Sequence, residues 1–307
     1  MQQQVTAEDF AALFGLPSLP PACAELAAKP DFRYEVPTGL AHEKILARVA
    51  AHVASDKPTR VGEHRAEIWE SCWSDNLQKF IDAGYDAEKL VPDFIKPGQP
   101  IRLNQNYVVP ASPRFELDFF AVCRAFLFER FFREAQSVYE FGCGSGFNLL
   151  ALARQQPGKK LCGLDWSRSS NETLNLVGKK LGVDITGRHF DFFNPDPGLT
   201  LGPRAGVLTM CALEQVGPRH GAFLEFLLAK KPAICVNMEP MLELYDENNP
   251  VDALAIRFHR KRGYLEGFLP ALRRLAEAGR IEIVEVKRFK FGSLYHECYS
   301  YVAWRTR

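Results

Sequence analysis

The chain has 307 residues, 47% of them apolar, and Lys and Arg exceed Asp and Glu by a single charge. That is enough chain and apolar matter for one large or two modest domains with buried cores. Near-balanced charge excludes an overall basic field that would draw the whole surface onto nucleic acid or anionic lipid, leaving only local patches open.

The opening residues, MQQQVTAEDFAALFG, lack the basic segment and apolar run of a secretion signal. AEDFAALFG, TGLAHEKILARVAAHVA and RAEIWESCWSDNLQKFIDAG follow as helical pieces punctuated by prolines. In the third, Trp69, Trp73, Leu77 and Phe80 recur at spacings of four, four and three, which puts them on one helical face. Such a stripe either packs on a neighbouring domain or roofs a pocket. The most apolar stretch, FELDFFAVCRAFLFERFF, carries Glu116, Asp118, Arg124, Glu129 and Arg130, which excludes a simple membrane span. The eight cysteines form no C-x-x-C pair and sit mostly in apolar strings, the usage of buried reduced thiols in a cytoplasmic protein.

The texture changes near residue 110. Residues 1–110 are expected to form a mainly helical cap or substrate region, and 111–307 an α/β domain. In the second part a helix over 113–134 leads into SVYEF, and a helix over 146–155 leads into KLCGLDW. Short apolar strands follow at AGVLTMCAL and PAICVNME. The alternation predicts a doubly wound, mostly parallel sheet with helices on both faces. RIEIVEVKRFKF and ECYSYVAWR close the chain as two β-rich runs around a short turn, which suits an antiparallel edge.

Val138-Tyr139-Glu140-Phe141-Gly142-Cys143-Gly144-Ser145-Gly146 reads as a strand running into a glycine loop at a helix N-terminus, where backbone approaches a ligand closely. The next strand ends at Asp165, 19 positions after Gly146, where a carboxylate meets ribose hydroxyls. A dinucleotide fingerprint starting at Gly142 requires glycine or alanine at position 147, and Phe147 stands there, which weakens an NAD reading.

The acid-x-G-x-G-x-G run of Glu140, Gly142, Gly144 and Gly146 resembles motif I of class I S-adenosylmethionine-dependent methyltransferases, and the resemblance covers roughly residues 113–307. It implies a Rossmann-like, seven-stranded sheet and S-adenosyl-L-methionine as cofactor. It further implies Gly142, Cys143, Gly144, Gly146 and Asn148 around the cofactor, with Asp165 on the ribose and Trp166 against the adenine. Asp191 and Phe192 would lie at the adenine edge, Asp191 alternatively capping the turn at Asn194-Pro195, and Glu140 would organise the loop and the methionine amino end. EFGCGSGFNLL, GLDWSRSS and ALEQ look like bacterial methyltransferases of sugars or specialised metabolites.

A sulfonium methyl is already activated, so such an enzyme mainly aligns a nucleophile and excludes water, with a general base for an oxygen or protonated nitrogen acceptor. Glu214, Glu239 and His259 are the candidate catalytic groups. Gln215, Arg262, Tyr264 and His296 are the candidate substrate contacts. The His259-Arg260-Lys261-Arg262 run is either a solvated helix end or a clamp for phosphate or carboxylate. No spacing suggests a structural zinc site. The expected partner is a small polar acceptor, with no nucleic acid and no membrane, and a homodimer is one open arrangement. A protein or RNA methyltransferase, and a binding protein without turnover, are the rival readings; near-neutral charge and the absence of an N-P-P-Y-like quartet at TMCALEQ favour small molecules.

Overall fold

A computed structural model describes residues 2–307. In chain order, β1 (Gln2–Gln4) is followed by α1 (Ala7–Phe14), α2 (Pro21–Ala28), β2 (Arg33–Glu35), α3 (Gly39–Ala54), α4 (Ala66–Asp82), β3 (Ile101–Leu103) and β4 (Asn106–Pro110). Then come α5 (Phe115–Leu127), β5 (Ser137–Phe141), α6 (Phe147–Gln155), β6 (Lys160–Asp165), α7 (Arg168–Leu181), β7 (Ile185–His189) and β8 (Ala205–Met210). The chain ends with α8 (Gly221–Lys230), β9 (Ile234–Met238), α9 (Pro250–Arg262), α10 (Phe268–Glu277), β10 (Ile281–Lys287), β11 (Phe291–Gly292) and β12 (Tyr301–Thr306).

Caps written into the sequence start several helices. Thr6 and Asp9 cap α1 reciprocally, Asp9 N donating to the Thr6 hydroxyl and Thr6 N to the Asp9 carboxylate. Asn249 caps α9 in front of Pro250, which needs no backbone donor at a first turn.

The main sheet has seven strands in the order β10-β12-β9-β8-β5-β6-β7. All pairings among β5 to β9 are parallel, and β12 runs antiparallel to both β9 and β10. This is a Rossmann-like doubly wound sheet. Its order reverses beside β5, whose successor β6 lies on one side and β8 on the other, so the carboxyl ends of β5 and β8 frame a crevice. Every residue of β8 is buried, as a central parallel strand requires.

The closing strands form the expected antiparallel pair at the edge of the sheet, but the connection between them is not a short turn. The antiparallel strand β12 lies one place inside the edge, which β10 occupies, and residues 288–300 leave the sheet instead of making a short turn. On that excursion β11 completes a second, antiparallel sheet in the order β1-β2-β4-β3-β11. The N-terminal region therefore adds a small sheet to its helices.

One hydrophobic core runs across residue 110. Phe14 stacks on Phe126 with centroids 4.2 Å apart, and Phe119 stacks on Phe291 at 3.9 Å. A buried ionic network ties the same parts together. Arg102 of β3 donates to Asp252 of α9 at 2.6 Å, and Arg288 donates to Asp252 at 2.7 Å and to both oxygens of Glu297 at 2.7 and 2.8 Å. Among the described residues no helix is long and apolar enough to cross a membrane.

Removing one member of a buried pair leaves its partner charged and desolvated, whereas exposed pairs contribute little. Asp252→Ala is expected to cost about 3–5 kcal/mol in denaturant unfolding, and Arg305→Gln, at the exposed Arg305–Glu282 pair, far less. Equal losses from the two substitutions would show that the network does not hold the fold.

Candidate active site

The glycine loop follows β5 directly. Gly142, Gly144 and Gly146 have φ of 70°, 51° and 74°, the left-handed region that side-chain-bearing residues enter at a cost. Space forbids a side chain as well: a Cβ on Gly142 would lie 2.4 Å from Ala212, and one on Gly144 2.5 Å from the Trp73 ring. The loop ends at the N-terminus of α6.

Asp165, at the end of β6, stands beside it. Its carboxylate accepts from Gly144 N at 3.0 Å and from Ser167 N at 2.9 Å. Burial raises its pKa to about 6, and these two backbone donors pull against that shift. On β5, Glu140 accepts from Asn148 Nδ2 at 2.7 Å, and Asn148 in turn accepts from Arg124 at 2.9 Å. The other Glu140 oxygen, Oε2, is buried without a partner, and burial raises this carboxyl to about 8.

Across the crevice, the chain leaves β8 through Cys211, whose φ of 53° is strained for a residue with a side chain. Glu239, at the end of β9, holds the next turn by accepting from the backbone N–H of Ala212, Leu213 and Glu214 at 3.1, 3.1 and 3.3 Å. Glu214 accepts from Gln215 Nε2 at 2.8 Å; burial first, then the neighbouring Glu239, raise it to about 8.

Between these walls lies a cleft that opens to solvent. Gly142, Cys143, Gly144, Asn148, Asp165, Trp166, Phe192 and Gln215 all line it, so the structure brings most of the expected cofactor residues onto one surface. Asp191 spends its carboxylate on its own turn, accepting from Phe193 N at 2.8 Å and Asn194 Nδ2 at 2.9 Å, the geometry of the turn-capping alternative. The α4 stripe divides: Leu77 and Phe80 are buried, while Trp69 and Trp73, their rings 5.9 Å apart and nearly parallel, face the cleft.

The remaining candidates form a second, buried cluster behind the wall made by the 211–216 segment. His259, Tyr264 and His296 hold their ring centroids 5.2 to 5.5 Å apart, and Arg262 lies over the Tyr264 ring at 4.9 Å. Both ring nitrogens of His259 lack partners, and burial lowers its pKa to about 3, so it is neutral. Burial lowers His296 as well.

Sequence reasoning passed over Glu70, Thr59 and Arg65. Glu70 of α4 caps α7 from outside, accepting from Arg168 N at 2.8 Å and from the Ser169 hydroxyl at 2.7 Å. A cap lent by a helix about a hundred positions away leaves no local sequence signal.

The raised carboxyls make stability depend on pH. Glu140 and Glu214 (about 8) and Glu116 and Glu239 (about 7) keep protons in the folded chain that unfolded glutamates release near 4.5. The folded state then binds more protons, so stability falls as pH rises through that window. The buried neutral histidines act in the opposite sense but only below about 6.5. The Tm is expected to fall between roughly pH 6.5 and 8 and to fall less in Glu214→Gln, as differential scanning fluorimetry will show; a rise over that range would contradict the assignment.

No protein-family model and no curated protein sequence matches the chain. Among solved structures, it is similar to human N-acetylserotonin methyltransferase in complex with S-adenosylmethionine, at 14% identity and a TM-score of 0.45, over 86% of this chain and 66% of that one. It is similar to NcsB1, an O-methyltransferase from neocarzinostatin biosynthesis, at 14% identity and a TM-score of 0.43, over 80% of this chain and 70% of that one. A third is TnmH, at 18% identity and a TM-score of 0.44, over 64% of this chain and 59% of that one. The chain thus spans less than two thirds of the first and third of these proteins, and at these identities and TM-scores the likenesses carry no argument about activity.

Proposed function

We propose that the chain transfers a methyl group from S-adenosylmethionine to an oxygen or nitrogen of a small polar molecule. The observation that carries this reading is Asp165: a buried carboxylate at the end of β6, bonded to the Gly144 and Ser167 amides at the rim of the β5/β8 crevice. The residues fit the cofactor. Glu140 Oε2 is a buried acceptor without a donor, matching an amino group, and the glycine loop presents bare backbone to the cleft. Asp165 would hold the ribose hydroxyls, Trp166 and Phe192 the adenine, and Glu140 with Asn148 the methionine amino end.

When bound, S-adenosylmethionine supplies an activated sulfonium methyl. The chain aligns the acceptor and excludes water, for which Trp69, Trp73 and Phe94 form an apolar roof over the cleft. Glu239 positions the 212–214 turn. Glu214 keeps its proton at neutral pH and becomes a base as pH rises past about 8. His259 does not suit the role of base: burial lowers its pKa to about 3, and it does not line the cleft. Eight free cysteines support a reducing, cytoplasmic setting.

Calorimetric titration with S-adenosylhomocysteine, with NAD in parallel, tests the cofactor assignment. Micromolar binding of S-adenosylhomocysteine alone is expected, weakened at least about tenfold in Asp165→Ala and in Gly144→Val. Binding of NAD alone would overturn the reading.

A further inference from the structure

Thr59 joins two arginines from distant parts of the chain. Arg65 Nη1 donates to the Thr59 hydroxyl at 2.6 Å, and Arg262 Nη1 donates to the same hydroxyl at 3.1 Å and to the Thr59 carbonyl. Each guanidinium is therefore anchored through Nη1. On both, Nε is buried and has no partner. The Nε/Nη2 edge of a guanidinium is the edge that meets a carboxylate in two parallel hydrogen bonds, and here two such edges stand on one anchor.

The surroundings point the same way. Two cations drawn to one hydroxyl repel each other, and burial followed by Arg262 lowers the pKa of Arg65. No carboxylate forms a salt bridge with Arg65 or Arg262 among the described residues, although most other buried arginine charge is paired. Glu214, the acid that acts on both arginines, keeps its proton near neutrality. The pair lies directly behind the cleft wall: Arg65 lies over the Trp69 ring at 5.9 Å, and Glu214 is bonded to Gln215, and it is Trp69 and Gln215 that line the cleft. Trp69 Nε1 and Gln215 Oε1 are further buried polar atoms without partners. Unpaired buried polar groups cost free energy unless a ligand satisfies them, and positive charge that no side chain compensates selects an anion.

We propose that Arg65 and Arg262 form the subsite for a carboxylate carried by the methyl acceptor, which the cleft takes in beside Trp69 and Gln215. The inference deepens the methyl-transfer reading and rests on it. Arg262 closes α9 and Arg65 precedes α4, so the subsite exists only while the N-terminal segment is docked on α9. Trp69 and Trp73 give the acceptor end ring faces, so a planar, unsaturated body between carboxylate and methylated atom suits the space.

The test titrates the protein, with and without saturating S-adenosylhomocysteine, with salicylate, 3-hydroxybenzoate, 4-hydroxybenzoate and 3,4-dihydroxybenzoate, each beside its primary amide. At least one carboxylate is expected to bind about tenfold or more tightly than its amide. Arg65→Gln and Arg262→Gln are each expected to remove that preference and leave S-adenosylhomocysteine affinity unchanged, and Arg65→Lys to restore it only in part. Arg65 is partly exposed, so its variants separate a lost subsite from a lost fold should Arg262→Gln unfold. Failure of every carboxylate to bind better than its amide, or a preference that survives in Arg65→Gln, would overturn the proposal. Failure of S-adenosylhomocysteine to bind the wild type would instead overturn the methyl-transfer reading, and is read in the same titrations.

Discussion

The Asp252 carboxylate is the junction on which the packing of α9 against the small sheet and the 288–300 excursion depends. It lies in the first turn of α9 with no exposed surface and accepts from Arg102, Gln105 and Arg288 side chains and from Asp246 N. Desolvating such charges is expensive, and only a full set of hydrogen bonds at short range offsets the cost. That set is drawn from β3 in the small sheet, the approach to α9, and the 288–300 excursion, so these three segments lock together or not at all. His259 and Arg262 ride on α9 and His296 on the excursion. Their mutual distances follow from this one junction.

The glycine-loop half is organised differently. Its parts lie within about fifty positions, from Glu140 to Phe192, and the rigid parallel sheet presents them at adjacent strand ends. Asp165 binds the loop that precedes it through Gly144 N, so a single carboxylate fixes the loop against the end of β6. The region around Arg65, Glu214 and α9 has no such local order. Arg65, Glu214 and Arg262 come from three separate regions, and Glu239 reaches back across the β8/β9 register to shape the turn that carries Glu214.

This contrast explains what the sequence made legible. Strand, glycine loop, helix, strand and acid are short-range relations, and SVYEF, KLCGLDW and the helix after Gly146 all appear where period and composition place them. The small sheet was not legible, because strands of two to five residues are too short to show alternation, and β11 joins them from nearly two hundred positions away. At Asp191 a local Asx turn used the carboxylate that a family analogy would aim at the adenine. Arg65 and Thr59 carried no motif at all; only the meeting of two guanidiniums on one hydroxyl reveals them.

Charge in the crevice then follows from burial. Glu140, Glu214 and Glu239 stand at the ends of β5, β8 and β9, where water is scarce, so burial raises each to about 7 or 8, with a smaller push from Asp165 on Glu140 and from Glu239 on Glu214. Guanidinium groups do not surrender their proton under the same pressure. A site rich in acids by composition is therefore closer to neutral at its carboxyls and positive at its arginines near pH 7. Counting acids and bases in the sequence gives the opposite impression, and the electrostatic preference of the acceptor end becomes visible only once burial decides which groups remain charged.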